Sequence, residues 1–126
     1  MGVFGDIALQ AWKSAAHEGV SPPDAWRAAI EEQYPDPTKR KNALKHTCPK
    51  GAFLGLCQKG IVRGIRAGNY TDSVKSSGLA LSAVERLKAD PSLAARKSRL
   101  VQLVFGNRAP AELDVVLALW EQRAII

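Results

Sequence analysis

Pro110-Ala111-Glu112-Leu113-Asp114-Val115-Val116-Leu117-Ala118-Leu119-Trp120-Glu121 is the stretch on which the fold class turns. Leu113, Val116, Leu117 and Trp120 follow the i, i+3, i+4, i+7 spacing that lines one side of a helix with 3.6 residues per turn, and Pro110 suits a first helical position. No alternating apolar and polar run elsewhere competes with it as a strand. The Gly106-Asn107 pair marks a break before it.

The same period recurs toward the N-terminus. Phe4, Ile7, Ala8, Ala11, Trp12 and Ala15 share a stripe within residues 3–18, and Gly19 supplies a stop. Ser21, Pro22 and Asp24 read as a cap, a first-turn proline and a capping-box acid before a second helix with Trp26, Ala29 and Ile30 inward. Two prolines in Tyr34-Pro35-Asp36-Pro37 end that helix, and Thr38 caps a short basic one over residues 39–45. Cys48-Pro49 opens a fourth, with Ala52, Phe53, Leu56 and Cys57 on one face and Gly60 after it. Gly51 and Gly55 cost that helix on the order of 1 kcal/mol each relative to Ala, a loss that close approach by another backbone would offset. Glycines at 60, 64 and 68 make residues 61–71 an ordered loop.

Thr71, Asp72 or Ser73 starts a fifth helix with Leu79, Ala80, Ala83, Val84 and Leu87 inward. Asp90-Pro91 opens a sixth with Leu93, Leu100, Val101 and Val104 inward and Arg96, Lys97 and Arg99 on its wet side. The expectation is an all-α fold: a compact irregular bundle of six or seven short amphipathic helices, in one domain over residues 1–126.

Composition bounds the function classes. Apolar residues make up 46% and charged residues 24% of the 126, which suits a folded globular chain. With no secretory leader pattern and no apolar run of membrane-spanning length, the chain reads as cytoplasmic, without a membrane partner. Its two cysteines are then expected as thiols, and the Asn69-Tyr70-Thr71 sequon carries no sugar.

The net charge of +6 is local. Lys39, Arg40, Lys41, Lys45, Lys50, Lys59, Arg63 and Arg66 lie between Asp36 and Asp72 with no acid among them; the other ten basic residues face all twelve acids, leaving the remainder at −2. Such a segment is either a solvated basic surface or, gathered on one face, a contact for the phosphates of nucleic acid or another polyanion. Asn69 and Tyr70 would then supply a hydrogen bond and a stacking face.

Catalytic signals are sparse. Cys48 reads first as an ordinary small buried residue, and second as a reactive thiol at a helix N-terminus, with His46 as base and Lys45 and Lys50 adding positive charge. Cys48 and Cys57 are nine residues apart, about 13 Å of helical rise and half a turn out of phase, so they do not share an ion; no metal or other cofactor is expected. No Gly-Lys-Ser/Thr follows the glycines, and no strand precedes them for a dinucleotide fingerprint. A protein-interaction module or homo-oligomer is the other non-enzymatic reading, with three tryptophans and Ala124-Ile125-Ile126 available for an apolar patch.

Cys48-Pro49-Lys50-Gly51-Ala52-Phe53-Leu54-Gly55-Leu56-Cys57, then Gly60, Gly64 and Gly68-Asn69-Tyr70-Thr71, and finally Asp114-Val115-Val116-Leu117-Ala118-Leu119-Trp120 resemble a family of small uncharacterised bacterial proteins over nearly the whole chain. The resemblance implies a shared all-helical domain and no activity, so it transfers no catalytic residue. It directs attention to Cys48, Lys50 and the turn at 68–71.

Overall fold

In a computed structural model, residues 2–106 and 111–126 are described, and the element order among them is α1 (Val3–Glu18), α2 (Pro22–Gln33), α3 (Pro37–Leu44), α4 (Thr47–Gln58), α5 (Lys75–Ala89), a 3₁₀ helix (Pro91–Ala95), α6 (Lys97–Val104) and α7 (Ala111–Glu121). The fold is all-α. The only extended pairing among the described residues is an isolated antiparallel bridge between Val62 and Ile125.

The helix α7 is the axis of the molecule, packed against α1, α4 and α5. Its stripe of Leu113, Val116 and Leu117 is buried as expected, but so are Val115, Ala118 and Leu119 on the other side, while Trp120 is only half-buried. A helix surrounded by partners must be apolar nearly all round; the unbroken run Val115-Val116-Leu117-Ala118-Leu119 is the sequence signal of that position. The expected break at Asn107 and the start at Pro110 lie outside the described residues.

The helix α4 is the second buried rod: Pro49 and every residue from 51 to 57 are buried. Trp26 of α2 meets Phe53 with ring centroids 5.4 Å apart, joining α2 to α4 in the core. Along the other flank α4 packs against α5, and Gly51 and Gly55 permit a close approach. A Cβ built on Gly55 would lie 2.8 Å from the Cα of Ser77, and one on Gly51 would lie 3.0 Å from the Cβ of Ser76. The close backbone approach expected from the glycines is therefore present, and its partner is a small-residue face of α5 made by Ser76, Ser77 and Ala80, all buried.

Several local expectations are corrected. Ser21 occupies the cap position of α2 and Pro22 its first turn, but the Ser21 hydroxyl makes no cap bond. The cap of α3 is Asp36, not Thr38: its carboxylate accepts the Lys39 N–H at 3.1 Å, and Pro37 takes the first helical position. The Pro35-Asp36-Pro37 segment thus ends one helix and starts the next, because proline lacks the N–H that a first-turn residue would leave unpaired anyway. α5 begins at Lys75, after Val74, with no side-chain cap. Asp90 caps as expected, accepting the Ser92 N–H and hydroxyl, yet it opens a 3₁₀ turn; the chain leaves helical geometry at Arg96 and restarts as α6. One expected helix is two pieces, and its Val101 and Val104 are half-buried.

Candidate functional site

The loop after α4 is irregular in backbone yet heavily tied down. Gln58 is its anchor: the side-chain carbonyl accepts the Tyr70 N–H at 2.7 Å and the Thr71 N–H at 3.0 Å, and its main-chain carbonyl accepts the Gly68 N–H. The Tyr70 hydroxyl donates to the Arg66 carbonyl at 2.7 Å, while its ring lies over Gly68, close to where a side chain there would stand. The Tyr70 ring is therefore half-buried and engaged in closing its own loop, and it is not the open stacking face expected of it. Asn69 is exposed beside it.

The segment 122–126 seals the same loop. Arg63 N–H donates to Ala124, Ile126 N–H donates to Ile61, and the Arg63 Nε donates to the Arg123 carbonyl at 3.0 Å. Lys88 donates to the Ile126 oxygen at 2.7 Å. Ala124 is fully buried, Ile125 is half-buried and Trp26 is 1% exposed, so of the apolar patch expected from the tryptophans and the tail, only Ile126 stands clear of the core.

Two contacts with α1 place the ends of the basic segment. His46, just before α4, packs on Phe4 near the start of α1, with ring centroids 5.4 Å apart. The loop after α4 meets the far end of α1: the Trp12 indole donates to the Arg63 carbonyl at 2.8 Å, and Gly64 lies against Ala16. α1 and α4 therefore run in the same direction. From Phe4 to Ala16 is about 18 Å of helical rise, and α4 spans about the same. Lys39, Arg40, Lys41, Lys45 and Lys50 accompany the first end; Lys59, Arg63 and Arg66 accompany the second, where the loop contacts bring in Arg123 and Lys88. The residues expected on one face are divided between two ends of the bundle because a buried rod, α4, lies between them.

At the first end, α3 buries Ala43 and nothing else. At 100° per residue Lys41 and Lys45 fall on the side opposite Ala43, with Lys39 and Arg40 at its flanks. Lys39, Lys41 and Lys45 are exposed, and Arg40 and Lys50 are partly so. Among the described residues ion pairs form only between Arg96 and Asp90, at 3.1 Å, and between Lys97 and Asp114, at 2.7 Å, so none of the eight cations at residues 39–66 is tied to a carboxylate there.

The two thiols have opposite surroundings. Cys48, in the first turn of α4, is exposed, which overturns the expectation of an ordinary buried residue. Cys57 is fully buried, and burial pushes its thiol far above the ordinary range by disfavouring the charged thiolate. His46 is engaged with Phe4, and no carboxylate hydrogen-bonds to it among the described residues. No group of three or more His, Cys, Asp or Glu among the described residues is arranged to hold a metal ion, and no helix there is long and apolar enough to cross a membrane.

The chain belongs to the DUF6979 family. That family's model, described as a family of unknown function, matches residues 1–126. No curated protein and no solved structure matches the chain. Membership in DUF6979 accordingly assigns no activity to Cys48, to the loop or to the basic helix.

Sequence reasoning missed Gln58. A polar residue in the last turn of an apolar helix, followed by a glycine-rich stretch with unpaired main-chain donors, was the available signal.

Proposed function

We propose that the protein is a non-enzymatic binding module for a polyanion, nucleic acid being the best fit, with α3 and the start of α4 as the principal contact. The observation that carries this reading is the composition of α3. Its eight residues contribute one buried side chain, Ala43, to the core and place Lys39, Arg40 and Lys41 at the surface, followed by Lys45. Lys41 and Lys45 are like charges one helical turn apart, an arrangement that costs a helix about 0.2–0.5 kcal/mol. Lys39 and Arg40, near the N-terminus of α3, also oppose its helix dipole, whereas Lys41 and Lys45 stand at its C-terminal end, where the dipole favours them. An anion laid along this surface relieves both penalties, and lysine and arginine reaching phosphates give contacts largely independent of base sequence.

The test is fluorescence anisotropy on a labelled DNA or RNA duplex at low salt, comparing the natural chain with Lys39→Gln, Arg40→Gln and Lys41→Gln combined. The natural chain binds, and the triple variant binds at least about tenfold more weakly while keeping its fold, since counterion release scales with the number of phosphates contacted. Equal affinity of the two, or no binding by the natural chain at about 50 mM salt, overturns the reading.

A further inference from the structure

The basic segment emerges at both ends of the bundle, and from that separation we infer that one molecule bridges two segments of nucleic acid, one held at each end. This rests on the binding reading above and adds to it a second site and an activity. The first end carries Lys39, Arg40, Lys41, Lys45 and Lys50. The second carries Lys59, Arg63 and Arg66, with Arg123 and Lys88 brought beside them through the Arg63–Arg123 and Lys88–Ile126 hydrogen bonds. Glu18 closes α1 at this second end and Glu121 lies near Arg123, so its charge is lower than the list of cations implies, though positive.

Three observations separate the ends. About 18 Å of α1 lies between the Phe4–His46 contact and the Ala16–Gly64 contact, about twice the Debye length of ~8 Å at physiological salt, so the two groups act as distinct fields. The α4 rod that joins them in sequence is buried, so it offers no basic track between them. Along the interval, the hollow between α1 and α2 is lined by Asp6, Gln10, Glu32 and Gln33, and its two carboxylates repel a phosphate backbone running from end to end on that side. The second end is also built to hold its shape: Gln58, Tyr70, Trp12 and the 123–126 segment fix the loop through hydrogen bonds, so its cations are presented without a large ordering cost on binding.

The experiment uses two duplexes of the same sequence, one immobilised and one free and fluorescent, and measures the free duplex recovered as protein is added. Three proteins are compared: the natural chain, the α3 triple variant above, and Lys59→Gln with Arg66→Gln, whose side chains make no hydrogen bond within the described residues. Arg63 is left intact because its Nε holds the 123–126 segment. The natural chain recovers the free duplex at intermediate concentration and less at saturation, where each duplex is covered separately. Each variant still binds in anisotropy but recovers roughly tenfold less, because bridging needs both ends. Bridging as strong as the natural chain's by either variant overturns the inference, as does a natural chain that binds but never bridges. It also fails if the α3 variant loses both binding and bridging while the other variant loses neither, which marks one site multiplied by self-association. A natural chain that does not bind at all is a different result, and it overturns the binding reading itself.

Discussion

Replacing Gly55 with alanine places a methyl group 2.8 Å from the Cα of Ser77, a main-chain atom on the facing helix that has no rotamer with which to retreat. Carbon atoms pack at about 3.5–4.0 Å, so α4 and α5 must separate locally by close to 1 Å or tilt apart. Overpacking of this kind costs about 1–3 kcal/mol, and here it falls at the upper end because the obstruction is backbone. Against that stands the helix-propensity gain of Ala over Gly, about 1 kcal/mol. The net expectation is a loss of about 1–2 kcal/mol, or a fall in Tm of roughly 5–10 °C for a chain of this size. Urea unfolding followed by far-UV circular dichroism and tryptophan fluorescence reads it directly. Gly78→Ala is the internal control: Gly78 is an exposed residue of α5 with no heavy atom within 4 Å of an added Cβ, so the same substitution there stabilises by about 0.5–1 kcal/mol. If Gly55→Ala leaves stability unchanged or raises it alongside Gly78→Ala, the α4–α5 contact is not the tight one described.

Other consequences are equally open to measurement. With Cys48 exposed and Cys57 buried, a thiol reagent labels one cysteine in the native protein and the second only on unfolding; two fast thiols, or none, would contradict the placement of α4. Gln58→Leu removes the acceptor of two main-chain N–H groups, a loss of about 1–3 kcal/mol, and hydrogen exchange should quicken at Tyr70 and Thr71 while α7 stays protected. Asp90 is held below the usual carboxylate range by the Ser92 hydroxyl, then by the Ser92 N–H and Arg96. A lowered native pKa means stability that is present above the unfolded value of 3.8 and is lost as pH falls through the native one. Asp90→Asn should therefore flatten the acid limb of a Tm-against-pH curve below about pH 4, and an unchanged curve would remove Asp90 from the account.

How far the sequence alone carries can be seen element by element. α1 and α2 are read to the residue because Gly19, Ser21-Pro22 and Tyr34-Pro35 are local stops and starts, decided within one turn of chain. Gly51 and Gly55 announce a close approach, but nothing near them in sequence names Ser76 and Ser77 as the partners; that is a tertiary fact. The break at Arg96 and the start of α5 after Val74 carry no punctuating residue, so no local signal in the sequence marks them. The division of the basic segment is also illegible, because it depends on α1 and α4 running the same way. Charge counted along a chain fixes the total but not the side of the molecule on which it emerges.

The most direct test of the polyanion reading is the salt dependence of duplex binding by the natural chain. If Lys39, Arg40, Lys41, Lys45 and Lys50 meet phosphates, log K falls linearly with log salt with a slope of about −3 to −5, at ~0.9 per phosphate neutralised. A slope near zero, with measurable binding that salt does not weaken, would contradict it.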